Sequence, residues 1–383
     1  MHVPYSDNDP IVDDLDDFVP PSSGSWNSVA VQNRTVTEIM PMCGLVKGGK
    51  LLNIRLYANN CYNGTDVTFE KLDKDFESLE PGVSAIVRLY FVDGPDRNKT
   101  PSWATTEGEK GTNDWSDPNM MKMASELFEK LTVHLRDETR CCLLQLGFGF
   151  WSEFHLSGIT MRPGENFPTA EQIDTLYGIV KAHRGPLQIA VSVGVGDDER
   201  ELSDSFRSDT TIGIFYDSFM KTRGSESAYE LKLYNGCHYD ERVYTMKGGE
   251  FSNGEGTLDS IMDTTKQLMK KRAMHYVMPN GTSDIMSSSS SKIQELSAYM
   301  GYRLKVASVD TSGDGYTRLS VTNVGIAPTL YDLNVVHENV TFEPSLAQLK
   351  PGASRYVYGK ITVGDNASFE AEGPRYLGGV KLL

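Results

Sequence analysis

The chain has 383 residues, more than one hydrophobic core usually holds, so two domains are expected. Its 39% hydrophobic and 23% charged residues exclude collagen-like, low-complexity and membrane-spanning classes, and no apolar run approaches the roughly 20 residues of a spanning helix. With 37 Lys and Arg against 52 Asp and Glu the net charge is −15; that field repels phosphate backbones and anionic lipid, so neither nucleic acid nor a membrane is an expected partner.

Residues 1–38 are rich in Asp, Pro and Ser, with DDLDD at 13–17 and PPSSGS at 20–25, and read as an irregular arm that buries little. No basic segment followed by an apolar stretch opens the chain, so a secreted or periplasmic location with the leader removed is expected only from the functional reading. From residue 39 a regular alternation begins. Strands are predicted at 40–46, 51–58, 84–93, 141–151, 187–194, 212–219, 242–250 and 274–279, several apolar nearly throughout, as parallel strands covered on both faces should be. Apolar residues at three- and four-residue spacing predict helices at 67–79, 120–137, 169–184, 257–272 and 291–303, the third opened by a Thr169/Gln172 capping box. Eight strands and their helices over 39–302 predict an α/β fold, a (β/α)8 TIM barrel. The alternative, an open doubly wound sheet, lacks its G-x-G-x-x-G fingerprint. Over 303–383, short alternating strands separated by TSGDG, KPGAS and VGDN turns predict a C-terminal antiparallel β-sandwich.

Five cysteines give no clean disulfide framework. Cys141 and Cys142 read as core thiols; Cys43 and Cys61 follow early strands and either pair or stay reduced, with Cys237 left over. No C-x-x-C or clustered histidine spacing appears, so neither a metal nor a cofactor is expected.

Barrel enzymes place their chemistry where strands end. The fourth candidate strand ends in Trp151, Glu153 and His155, the sixth in Tyr216 and Asp217, and the seventh in Glu250 behind two glycines. The second and third share R-L-Y, Arg55 to Tyr57 and Arg88 to Tyr90, with Arg and Tyr on one face in each copy. Retaining cleavage of a glycosidic bond takes two carboxyl groups about 5–5.5 Å apart, and strands four and seven face each other across a barrel mouth. Glu153, walled by Trp151, is the predicted acid/base because an apolar wall raises a carboxyl pKa; Glu250, held ionised by Arg55 or Arg88, is the predicted nucleophile. Substrate contacts are expected from Arg55, Tyr57, Arg88, Tyr90, Trp103, Trp115, Trp151, His155, Tyr216 and Asp217. Plainer readings stand beside these: solvated loop glutamates, structural arginine pairs, and tryptophans packed in a core rather than stacked on sugar. For Trp103 and Trp115, in a long polar loop, stacking is the preferred reading.

At these motifs the chain resembles clan A glycoside hydrolases, whose glutamates closing strands four and seven are acid/base and nucleophile. The resemblance implies retention of configuration, with Glu153 and Glu250 in those roles. One departure is Ser152, where that family usually has an Asn that contacts the substrate 2-hydroxyl. GFWSE (149–153), YDSF (216–219), GGE (248–250) and TNVGIAP (322–328) together are similar to bacterial barrel-plus-sandwich proteins of mostly unassigned activity, over roughly residues 40–383. The expected function is a retaining glycoside hydrolase acting on a β-linked polysaccharide or oligosaccharide, with an algal galactan a candidate prompted by the acidity. The alternative is a barrel that binds carbohydrate without cleaving it, for which Ser152 is the feature in the sequence. Oligomeric state is not legible.

Overall fold

Two short strands come first in the chain, β1 (Ile11–Val12) and β2 (Trp26–Val29), followed by seven that form one all-parallel sheet in chain order. These are β3 (Leu51–Tyr57), β4 (Ser84–Tyr90), β5 (Cys141–Leu146), β6 (Gln188–Ser192), β7 (Gly213–Phe219), β8 (Gly248–Phe251) and β9 (Tyr276–Pro279). The structure is a computed structural model describing residues 11–12, 26–29, 51–79, 83–109, 111–192, 202–220, 231, 234–251, 256–279, 284–364, 367–372 and 380–382. The first candidate strand, 40–46 with Cys43, lies outside the described residues. Cys61, its candidate disulfide partner, is a buried free thiol that burial pushes up to about 12.

β4, β5 and β6 are buried at every position, as their continuous apolar sequences require. One face of the sheet packs under helices α1 (Ala58–Cys61), α2 (Glu70–Glu77), α3 (Pro118–Asp137), α4 (Ala170–His183), α5 (Asp204–Ser208), α6 (Leu258–Lys271) and α7 (Ser290–Tyr299). The longest, α3, starts where Asp117 accepts the Asn119 N–H and Pro118 takes the first position. It buries Met120, Met123, Leu127, Phe128, Leu131 and Leu135, one stripe at helical spacing, each worth roughly 1.5–3 kcal/mol against exposure. The capping box on α4 forms as expected, Thr169 accepting the Gln172 N–H while Gln172 accepts the Thr169 N–H.

The other face curls on itself. Leu51, Ile86, Leu143, Ala190, Phe215, Met246 and Tyr276, from along the whole sheet, form one interior cluster. Gln145 on β5 donates to the Tyr276 hydroxyl on β9 at 2.7 Å, and Asn53 on β3 donates to Met278 Sδ on β9 at 3.2 Å. Strands at opposite ends of the hydrogen-bonded order therefore touch across an enclosed interior, as in an α/β barrel.

The remaining strands are β10 (Leu304–Ser312), β11 (Thr317–Asn323), β12 (Asn334–His337), β13 (Val340–Phe342), β14 (Ala353–Gly359), β15 (Phe369–Glu372) and β16 (Val380–Leu382). They form two sheets, ordered β1-β14-β11-β10-β2 and β13-β12-β15-β16, antiparallel except for the β1–β14 pair. Val309, Leu319, Val321 and Val357 of the first share a cluster with Val335, Phe342, Phe369 and Ala371 of the second. Where the sequence suggested an irregular arm, Ile11–Val12 and Trp26–Val29 supply both outer strands of the larger sheet. An edge strand recruits backbone groups whatever their side chains, which is why an Asp-rich composition hid them.

The base of the curled sheet is closed from this second region. The Tyr331 hydroxyl donates to the Cys142 carbonyl, and its ring joins the interior cluster. His275, fully buried, accepts the Lys247 N–H on Nδ1 at 3.2 Å, so Nε2 carries the proton and donates to the Pro328 carbonyl at 3.0 Å. Desolvation drives that imidazole's pKa down to about 3.

Candidate active site

Register decides what faces the mouth. Arg55 pairs with Arg88 and Tyr57 with Tyr90 across β3 and β4, so the two R-L-Y copies lie side by side. Arg88 points inward, its guanidinium 4.9 Å from the Phe215 ring on β7. Nη2 of Arg88 is 3.7 Å from Glu153 Oε1 and Nη1 is 3.9 Å from Glu250 Oε2. One planar cation thus touches a carboxylate from the loop after β5 and another from β8. Of the two arginines expected to hold Glu250, Arg88 is at the carboxylate; Arg55 pairs with Asp93 at 4.0 Å.

Glu250 is placed by its glycines. A Cβ on Gly248 would overlap the Tyr276 ring, so that ring lies where a side chain would otherwise stand beneath Glu250. Glu153 is placed by a tight loop. The Gly149 N–H donates to the Glu153 carbonyl at 2.7 Å and the Phe150 N–H to the His155 carbonyl at 2.9 Å. Trp151 and Ser152 both adopt left-handed backbone, φ 55° and 63°, a conformation that strains non-glycine residues and gathers at functional sites. A Cβ on Gly147 or Gly149 would overlap the carbonyl oxygens of Ser152 and His155. His155 Nδ1 accepts the Ser157 N–H at 3.2 Å, which leaves the proton on Nε2, donated to Glu153 Oε2 at 2.8 Å. Glu153 is buried, with a cation and a histidine among its immediate neighbours. Ser152 is buried and donates to the Leu89 carbonyl.

Arg55, Tyr57, Arg88, Tyr90, Glu153, His155 and Glu250 are therefore brought to one mouth. Tyr90 is the wall between the arginines, 5.6 Å from the Arg88 guanidinium and 5.7 Å from that of Arg55. Trp151, 38% exposed, lies along Gly94, and Trp103 stands 40% exposed on the turn Ser102–Ala104. Two expected contacts are corrected. Trp115 is 2% exposed and wedged between Phe91 and Phe148, so it packs the loop onto the core and offers sugar no face. Tyr216 is buried in the cluster under the helices, edge-on to Tyr234. The Asp217 side chain lies outside the described residues.

The sequence reading passed over Asp93, which accepts from the Tyr57 hydroxyl at 3.2 Å. Its signal was present: a lone carboxylate closing the apolar run SAIVRLYFVD at a strand's C-terminal end. Gly147 and Gly149 were passed over too, although spaced glycines before a strand-end acid signal a loop folded on its own backbone.

No family model matches the chain, and no curated relative matches it. Among solved structures it is similar to endo-glycoceramidase II from Rhodococcus sp. in a cellobiose-like imidazole complex, at 10% identity and TM-score 0.46 over 82% of this chain and 90% of that one. It is similar also to Thermotoga maritima Cel5A in complex with mannotriose, at 10% identity and TM-score 0.39 over 65% and 86%. A third likeness is to beta-galactosidase from Bacillus circulans sp. alkalophilus, at 10% identity and TM-score 0.41 over 66% and 51%. At such values the activity of this chain has to be argued from its own side chains.

Proposed function

We propose that the chain is a retaining glycoside hydrolase of β-linked oligosaccharide or polysaccharide, built as an eight-stranded barrel with a C-terminal β-sandwich, in which Glu250 is nucleophile and Glu153 acid/base. The observation that carries this reading is the shared guanidinium of Arg88, within 4.0 Å of both carboxylates. Two acids so bridged lie within about 10 Å of each other, a span that takes in the roughly 5–5.5 Å of a retaining pair.

In the first step a Glu250 oxygen attacks the anomeric carbon while the bond to the leaving oxygen breaks and Glu153 gives that oxygen its proton. In the second, Glu153 takes a proton from water, the water oxygen attacks the same carbon, and the ester to Glu250 breaks with both electrons returning to the carboxylate. Arg88, in reach of both carboxylates, orients the two acids toward each other. His155 fixes the Glu153 carboxyl by donating to one of its oxygens.

The test is hydrolysis of aryl β-glycosides and β-glucan, mannan and galactan oligosaccharides by wild type, Glu153→Gln and Glu250→Gln. Each variant should lose about 10³-fold or more in kcat, and proton NMR of the first product should show the β-anomer. Hydrolysis undiminished in both variants sinks the assignment. Ser152 favours a second reading, a carbohydrate-binding barrel without catalysis: its hydroxyl donates to the Leu89 carbonyl, and no side-chain amide stands at that position to meet a substrate 2-hydroxyl. Binding of those oligosaccharides with no cleavage by wild type would establish it.

A further inference from the structure

Three residues beyond β4, the Asp93 side chain is only 9% exposed, yet it is loosely held. The Tyr57 hydroxyl donates to Oδ2 at 3.2 Å and the nearest Arg55 nitrogen is 4.0 Å from Oδ1. An ionised carboxylate has about four acceptor positions, and burying one with so few of them filled is unfavourable. The backbone aims it all the same: the Asp93 N–H donates to the Arg97 carbonyl at 2.9 Å, and Gly94 turns the chain with φ 90°.

The surroundings are those of a polar ligand. Burial and the adjoining Asp93 charge raise the Tyr57 pKa, so its phenol stays protonated and able to donate. Lys99 holds its ammonium 4.3 Å from the Tyr57 ring centre, and the Arg55 side chain is 60% exposed. The Arg55 and Arg88 guanidinium groups both lie within 5.7 Å of the Tyr90 ring centre, so a chain of side-chain contacts runs along the mouth from Asp93 to the paired glutamates. A Cβ on Gly94 would come within 3.0 Å of the Trp151 indole nitrogen, so an exposed aromatic face borders the same spot.

Resting on the reading above, we propose that Asp93, Tyr57 and Arg55 hold the sugar unit next to the one being attacked, and that this unit is a neutral pyranose with adjacent free hydroxyls. Asp93 accepts from two hydroxyls, Arg55 donates to one of them, and Trp151 packs on the ring's apolar face. An acidic sugar would bring its charge against the Asp93 carboxylate.

Asp93→Ala and Asp93→Asn, each confirmed folded by thermal melting, would be compared with wild type on aryl β-monoglycosides and on β-linked glucose, mannose and galactose oligomers of two to five units. On the oligomers kcat/KM should fall about 30-fold, mainly through KM; on the monoglycoside of the same sugar it should change less than about 3-fold. Equal losses on long and short substrates, or no loss on either, would overturn the assignment. Calorimetric titration of wild type and Asp93→Ala with the same oligomers judges the subsite even if wild type cleaves nothing, a result that removes the proposed function alone. Binding unchanged by the substitution, or uronate-containing oligomers bound more tightly than neutral ones by wild type, would refute it.

Discussion

The two ends of the curled sheet are built by opposite rules. At the mouth, charge is gathered and backbone is bent: Arg88 is 3% exposed between two carboxylates, and Trp151 and Ser152 are left-handed. At the base, Leu51, Leu143, Met246 and Tyr331 pack together, and the His275 imidazole is kept neutral with both nitrogens satisfied. The base contributes stability through buried apolar surface and completed hydrogen bonds. The mouth draws on that stability to hold an arrangement that would relax if left alone. Changes at the mouth should therefore register in turnover as well as in melting, and changes at the base in melting alone.

The largest effect expected is at Arg88. Arg88→Ala leaves two carboxylates facing each other without their shared cation, which should lower stability by about 3–5 kcal/mol and kcat/KM by about 10³-fold or more. A variant that melts like wild type and still turns over would erase the contrast between the two ends. Next is Tyr331→Ala, which opens the base and should cost about 3 kcal/mol in urea unfolding while the folded fraction keeps its KM. A changed KM would show that the two ends are coupled.

The smallest effect is a pH dependence. The His275 pKa is about 3 in the folded chain against a usual 6.5, so protons bind the unfolded chain first. The stability it contributes is complete above pH 6.5 and is lost as pH falls toward 3, about 2 kcal/mol of it by pH 5. Melting temperatures from pH 7.5 to 4.5 should show this slope, and His275→Gln should flatten it. An unflattened slope would place the acid sensitivity elsewhere.

How much of this was legible in the sequence depended on scale. Alternation of long apolar runs with amphipathic stretches marked the parallel sheet, because strands such as Cys141–Leu146 are covered on both faces and helices such as Pro118–Asp137 on one. The two glutamates were legible as strand-end acids, and Arg88 as one of two arginines. What separated Arg88 from Arg55 was not local, since the same tripeptide sits in the same register and only the curl of the sheet buries one copy. Trp115 misled because its loop is polar in composition but rests on Phe91 and Phe148, which lie elsewhere in the chain. Tyr216 misled because only the packing shows which face of its strand lies under the helices, where Tyr216 is buried. The short N-terminal strands left no pattern, since their pairing depends on β10 and β14 rather than on their own residues.

The tie from Tyr331 to Cys142 also sets an order of events during synthesis. The donor is made 189 residues after the acceptor, and at about 5–20 residues per second the ribosome needs roughly 10–40 s to supply it. Over that interval the floor of the nascent curled sheet is unsealed, and for most of it Trp26–Val29 is still waiting for Val309–Ser312. A stop codon between the parallel sheet and residue 331 would therefore release a chain with an open apolar end, a substrate for chaperones and proteases rather than a smaller working protein.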